Sequence, residues 1–147
     1  MVKVDEFDFP DNLLYFSTET DQIWLKKENG NLRIGITTLG TYAAGKIKFI
    51  RLRPAGKDVQ AGRSIGTLES GKWTGPVKTP ISGTLVDVNE ELKSNPGIVN
   101  QDPYGKGWVA LIEPSDFDSE KGALVSGDAI EAWAQAEVVD KKAKRGD

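Results

Sequence analysis

The 147-residue chain has no cysteine and no histidine. Without cysteine there is no thiol nucleophile, no disulfide and no thiolate metal site. Without histidine, the usual general base near neutral pH and the commonest metal ligand are both missing. Most hydrolytic and metal-dependent constellations are thereby removed, so no catalytic residue and no metal ligand is expected, and the chain reads as a non-enzyme. Redox or acyl chemistry would have to arrive on a group carrier that brings its own reactive atoms. Methionine occurs once, at Met1, and no run of ~18 apolar residues exists that could span a membrane. The first residues, Met1-Val2-Lys3-Val4-Asp5-Glu6-Phe7, lack the apolar core of a secretory signal, so the expected location is cytoplasmic. Nineteen basic residues against 22 acidic ones give a net charge of −3 and no electrostatic case for nucleic-acid binding.

The 38% apolar content suits one core. Residues 1–20 read as an N-terminal extension in which Leu13-Leu14-Tyr15-Phe16 adds a strand or packs on the core. Residues 21–114 read as a β domain. Ile23–Lys27 and Leu32–Ile36 flank Glu28-Asn29-Gly30-Asn31, and Asn-Gly between such runs signals a hairpin. Thr37 to Gly45 suggests one short helical turn. In Lys46–Arg53, Ile47 and Phe49 share one face while Ile50 and Leu52 share the other, which predicts a bulge near Phe49-Ile50 or a change of sheet. Further strands are expected over Ser64–Ser70, Thr84–Asn89 and Trp108–Glu113. Residues 115–139 read as C-terminal helices packed on the β domain: a short one from Asp116, then one opened by an Asp128/Glu131 capping box, with Ile130, Trp133, Ala134 and Val138 on one face. Residues 140–147 read as a disordered, charged tail.

The chemistry points to one lysine. A strand ends at Ser70, Gly71 opens a turn, Lys72 stands at its tip and Trp73 follows, then Gly75, Pro76, Pro80 and Gly83 precede the strand at Thr84. Turn residues of this kind lift a side chain off a sheet into water. Gly62–Leu68 and Gly83–Val88 each place a glycine before an alternating strand, one on either side of Lys72, which suggests two related β halves. The plain alternative for Lys72 is a solvated surface charge. Lys46, Lys48, Arg51, Arg53, Lys57 and Arg63 read as a solvated strand face and turn. Trp24, Trp108 and Trp133 read as core or cap residues.

Glu69-Ser70-Gly71-Lys72, Pro80-Ile81-Ser82-Gly83, Val88-Asn89-Glu90-Glu91-Leu92, Asn95-Pro96 and Asp102-Pro103-Tyr104-Gly105-Lys106-Gly107-Trp108 together resemble the glycine cleavage system H-protein family, over about Asp21 to Trp133. The resemblance implies a mainly β fold, a lipoyl/biotinyl-type barrel-sandwich hybrid with a short internal helix and C-terminal helices. It implies lipoate in amide linkage on Lys72. Glu69, Ser70, Gly71, Gly75, Pro76 and Gly83 would shape the hairpin and mark it for the lipoylation machinery, a lipoate–protein ligase or lipoyl synthase system. Biotin fits less well, because biotinylated lysines usually lie between two methionines and the neighbours here are Gly71 and Trp73. Trp73 reads as an anchor for a docking partner, or else as a lid for the arm.

Two departures from the family pattern bear on the partners. Its members commonly show His-Glu-Trp in the first hairpin, where this chain has Gln22-Ile23-Trp24, and small and acidic residues after the lysine, where it has Trp73-Thr74-Gly75-Pro76. The latter resembles lipoate-binding proteins of a heterodisulfide-reductase-like sulfur-oxidation system, so the expected role is a monomeric carrier of sulfur-bound intermediates for that complex. The alternative is a glycine cleavage H-protein that carries the aminomethyl group between glycine decarboxylase and aminomethyltransferase.

Overall fold

The computed structural model describes residues 1–145. Two sheets enclose the main core. One has six strands, in the order β3 (Leu14–Ser17), β4 (Gln22–Glu28), β5 (Asn31–Ile36), β11 (Ala110–Pro114), β10 (Gly83–Val88) and β7 (Asp58–Val59). The other has three, in the order β6 (Ile47–Leu52), β8 (Ser64–Ser70) and β9 (Thr74–Lys78). Leu25, Ile34, Ile47, Ile65, Leu85 and Ile112 lie between them, all but excluded from water. The architecture is the expected mainly β one, with α1 (Thr38–Ala44) as the short internal helix.

Local chemistry accounts for the elements that place the site. Asn29 and Gly30 adopt φ of 52° and 83°, the left-handed pair that a two-residue hairpin turn requires, and β4 and β5 pair from Ile23↔Ile36 to Glu28↔Asn31. Thr37 caps α1, its hydroxyl accepting from the Gly40 amide, and Gly45 ends the helix at φ 86°. The parity slip in β6 is a bulge: the register jumps between Ile47↔Ser70 and Phe49↔Glu69, leaving Lys48 unpaired. Ile47 and Ile50 can both face the core as a result, while Phe49 turns outward.

Several expectations need correction. The N-terminal segment adds a strand as expected, β3 paired to β4, but the residues before it are more than a lead-in: β1 (Val2–Val4) and β2 (Phe7–Phe9) form a hairpin, and Phe7, Phe9, Leu13 and Tyr15 enter a second core with Trp24, Leu39, Ile130, Ala134 and Val138. The Gly/Pro stretch after Lys72 is not one long turn, because Thr74–Lys78 forms β9. Pro76 is accommodated there because β9 is an edge strand, where a missing N–H breaks no second ladder. Near the C-terminus, α2 (Ile98–Gln101) and α3 (Phe117–Glu120) are single turns. Asp128 does not cap the last helix. It lies inside a 3₁₀ turn, Gly127–Ala129, that leads into α4 (Ile130–Arg145). Residues 140–145, expected to be disordered, are the last turns of α4 and are tied to the body by Lys141, whose side chain is only 5% exposed. The remainder of the expected tail, 146–147, lies outside the described residues.

Candidate functional site

Lys72 stands at the tip of the β8–β9 hairpin, exposed, between the paired residues Glu69 and Thr74. The turn is fastened by Ser70. Its amide donates to the Trp73 carbonyl at 2.8 Å, and its buried hydroxyl accepts from the amides of Lys72 (3.2 Å) and Trp73 (3.1 Å). A short polar side chain that bonds the backbone just ahead of it stabilises such a turn. The lysine stem then passes Gly45: its Cδ lies 3.8 Å from where a Cβ on Gly45 would stand.

Of the other predicted site residues, Glu69 is exposed beside the turn, in a cross-strand row with Phe49 and Thr74. Gly71 is exposed within the turn. Gly75 and Pro76 belong to β9, and Gly75 is covered by the Trp73 ring, which would lie 2.2 Å from any Cβ there. Gly83 is the exception, since it does not shape the hairpin. It sits in the six-stranded sheet, where a Cβ would meet the Glu113 carbonyl oxygen at 2.0 Å, so its glycine serves strand packing. Trp73 itself is half-buried and packs against the main core.

Beside the hairpin lies a cleft of about 300 Å³. Ile23, Ile36, Ala43, Leu68, Trp73 and Val77 give it an apolar body, and Lys72 lies on its rim. Another wall comes from α4, through Lys141, Lys144 and Arg145, with Glu19, Asp21 and Gln22 beside it. These charges are largely engaged with one another. Lys141 reaches Asp140 (3.1 Å) and Glu137 (3.4 Å), and Lys144 reaches Asp140 (3.0 Å). Hydrogen bonds from Lys144 and Lys141 hold the Asp140 carboxyl below the usual carboxylate range, and Asp140 holds Lys144 above the usual lysine range. Arg145 donates to the Tyr42 carbonyl and stacks on its ring at 4.4 Å.

Gln22 joins the two walls. Its amide oxygen accepts from the Thr37 hydroxyl at 2.9 Å, and its amide nitrogen donates to Glu137 at 2.7 Å. A polar chain, buried at Thr37, Gln22 and Lys141 and half-buried at Glu137, therefore runs from the α1 N-terminus to Lys141 (Asp140 and the Thr18 carbonyl end it). Such networks rigidify only when every member is satisfied, as here. Sequence reading missed the cleft and its α4 wall. A signal was present: the spacing Ile130, Ala134, Val138 continues to Lys141, which a helical stripe would bury.

Among the described residues no group of acidic side chains could hold a metal ion, and no helix is long and apolar enough to cross a membrane.

The family model for the glycine cleavage H-protein matches residues 14–137. Glycine cleavage system H protein 5 of Aquifex aeolicus is 38% identical, covering 99% of this chain and all of that one. A probable glycine cleavage system H protein 2 of Sulfurisphaera tokodaii is 42% identical over 88% of this chain and 87% of its own. The crystal structure of a glycine cleavage system H protein from Mycobacterium marinum superposes with a TM-score of 0.70 at 27% identity, covering 94% of this chain and 99% of that one. The chain therefore belongs to the glycine cleavage H-protein family, whose members carry lipoate covalently on a lysine and are not enzymes.

Proposed function

We propose that Lys72 is the lysine that carries lipoate and that the chain is a shuttle for groups borne on that arm. The observation that carries this reading is the exposed Lys72 at the apex of a hairpin locked by Ser70, with an apolar cleft alongside. The residues present fit the group: Lys72 is exposed beside the cleft, and the hydrocarbon walls from Ile23, Leu68 and Trp73 suit an aliphatic chain. Amide formation leaves 18 basic residues against 22 acidic ones, a net charge of −4 in place of −3. Lipoate supplies a dithiolane whose sulfurs open, accept a group and close again. The protein supplies position: Ser70 and Gly71 hold the attachment point out, Trp73 forms cleft wall and docking edge together, and Glu69 is read by the lipoylation machinery. A tethered group meets each partner site at high local concentration, which is the gain from a shuttle.

Intact-mass measurement after incubation with lipoate–protein ligase, ATP and lipoate tests the assignment. Wild type should gain one lipoyl group and Lys72→Arg none; a gain of the same mass by Lys72→Arg overturns it.

The relatives' names support the glycine cleavage enzymes, glycine decarboxylase and aminomethyltransferase, as clients. Specific residues favour a second reading, a relay of sulfur-bound groups for a heterodisulfide-reductase-like complex. Gln22 is bonded at both ends to Thr37 and Glu137, and Ile23 lines the cleft with hydrocarbon where the family commonly has Glu. The relatives' numbering up to 5 in one organism also fits a division of clients among paralogues. Decarboxylation assays with lipoylated protein, glycine and glycine decarboxylase separate the two. Brisk turnover, with no transfer from thiosulfate-type donors, selects the first, and the converse selects the second.

A further inference from the structure

Positive charge is unevenly distributed along the chain. Residues 46–63 hold six basic side chains against one acidic, Asp58, for a net of +5, while the other 13 basic and 21 acidic residues sum to −8. Four of the six basic side chains, Lys46, Lys48, Arg51 and Arg53, lie on or next to β6, the edge strand paired to the lysine-bearing β8. Lys46, Lys48, Arg51 and Arg53 are all exposed, and among the described residues none of the four forms an ion pair. Lys48 is carried by the bulge to the turn itself, its Nζ 3.4 Å from where a Cβ on Gly71 would stand.

Edge strands often carry lysines simply to deter strand-on-strand pairing. Phe49 argues for more than that. It is an exposed aromatic, 45% accessible, in the middle of the strand, and an exposed apolar ring works against deterrence. Arg51 lies 5.2 Å over its ring. Pairing register puts Phe49, Glu69 and Thr74 in one outward row and Arg51, Thr67 and Pro76 in the next, so the cationic strip, the aromatic and Glu69 share one face below Lys72. An arginine beside an exposed aromatic, flanked along the strand by Lys48 and Arg53 and across it by Glu69, has the composition of a binding anchor.

We infer that this face docks the enzyme that acylates Lys72, through a carboxylate-bearing surface with an apolar recess for Phe49. The inference rests on the carrier reading. Reach selects this occupant: before modification only a four-carbon stem separates the ammonium from the hairpin, so an acylating enzyme must press against the strand next to it. An enzyme handling the finished, longer arm need not. In the step itself the Lys72 amine, its proton lost to solvent, attacks the carbonyl carbon of lipoate activated by ATP as the acyl-adenylate. The C–N bond forms, the anhydride C–O bond breaks and AMP leaves with the electron pair, with no change of oxidation state.

The test measures the rate of lipoyl transfer by intact mass, using the full apo-chain, the host's lipoate–protein ligase, ATP and lipoate. The variants are Lys48→Glu/Arg51→Glu, Phe49→Ser and, on α3's side of the molecule, the control Lys121→Glu; far-ultraviolet circular dichroism checks each fold. At low salt the double reversal should lower kcat/KM by roughly tenfold or more and Phe49→Ser by about fivefold, with Lys121→Glu unchanged. Raising ionic strength should slow wild type and leave the double reversal little affected. If folded double-reversal protein is acylated as fast as wild type, the docking assignment falls while the carrier reading stands. If wild type is not acylated at all, the carrier reading falls and takes this inference with it.

Discussion

Ser70 and Trp73 hold each other across the turn that bears Lys72: the Ser70 amide donates to the Trp73 carbonyl, and the Trp73 amide donates to the Ser70 hydroxyl. The same hydroxyl accepts from Lys72, so one side chain fixes the backbone of the attachment point and the base of the indole that covers Gly75.

Ser70→Ala should therefore loosen the tip without disturbing the sheets. Two amides lose their acceptor next to a buried position, at a cost of about 1 kcal/mol, or about 2–4 °C in Tm for a chain of this size. Amide exchange measured by nuclear magnetic resonance should accelerate at Lys72 and Trp73 and remain slow at Leu68. Unchanged exchange at the two tip amides would show that the hydroxyl is not what holds them.

The α4 wall yields an asymmetric pair of outcomes. Lys141 is buried and balanced by Glu137 and Asp140. Removing Glu137 strands the Gln22 amide and leaves the buried lysine with only the half-exposed Asp140 and the Thr18 carbonyl, so Glu137→Ala should destabilise by about 2 kcal/mol. Lys141→Met keeps the packing and removes the charge, and should fall within about 1 kcal/mol of wild type. Urea denaturation compares them directly; equal losses would contradict the buried-charge account.

Alkaline pH should weaken the fold through Tyr104. Burial pushes its phenol up to about 12 from an ordinary value near 10, while the hydroxyl donates to the Asp8 carbonyl. Because the folded state holds this proton more tightly, the contribution is complete below pH ~10 and is lost as pH rises toward about 12. Burial shifts Tyr15 in the same direction, its hydroxyl donating to the Pro10 carbonyl at 2.6 Å. Chemical-denaturation midpoints between pH 9 and 12, about three units around the ordinary phenol value, should fall steadily for wild type and less steeply for Tyr104→Phe.

Much of this was legible in the residues, for reasons that are local. Asn29-Gly30 fixes a hairpin through its own φ preferences, the β6 slip announces a bulge through face parity, and Gly71-Lys72 between strand and turn advertises an exposed lysine. What failed to show depends on tertiary context. Thr74–Lys78 has turn composition yet is a strand, because an edge position forgives Pro76. Gly83 looks like turn punctuation, and only the approach of the Glu113 carbonyl reveals its purpose. The last turns of α4 have the charge of a solvated tail, and Lys141 becomes internal only because Glu137, Asp140 and the Thr18 carbonyl meet it there.

The three-stranded and six-stranded sheets give this molecule a modular character. Phe49, Arg51 and Glu69 belong to the small sheet, whereas Gln22 and Ile23 belong to the large one and are braced by α4. Substitutions that retune recognition can accumulate on the outward face of the small sheet, while Leu68 and Val77 on its buried face go on lining the cleft that would accommodate a different payload. A duplicated gene could thus keep its modifying enzyme while acquiring a new metabolic assignment.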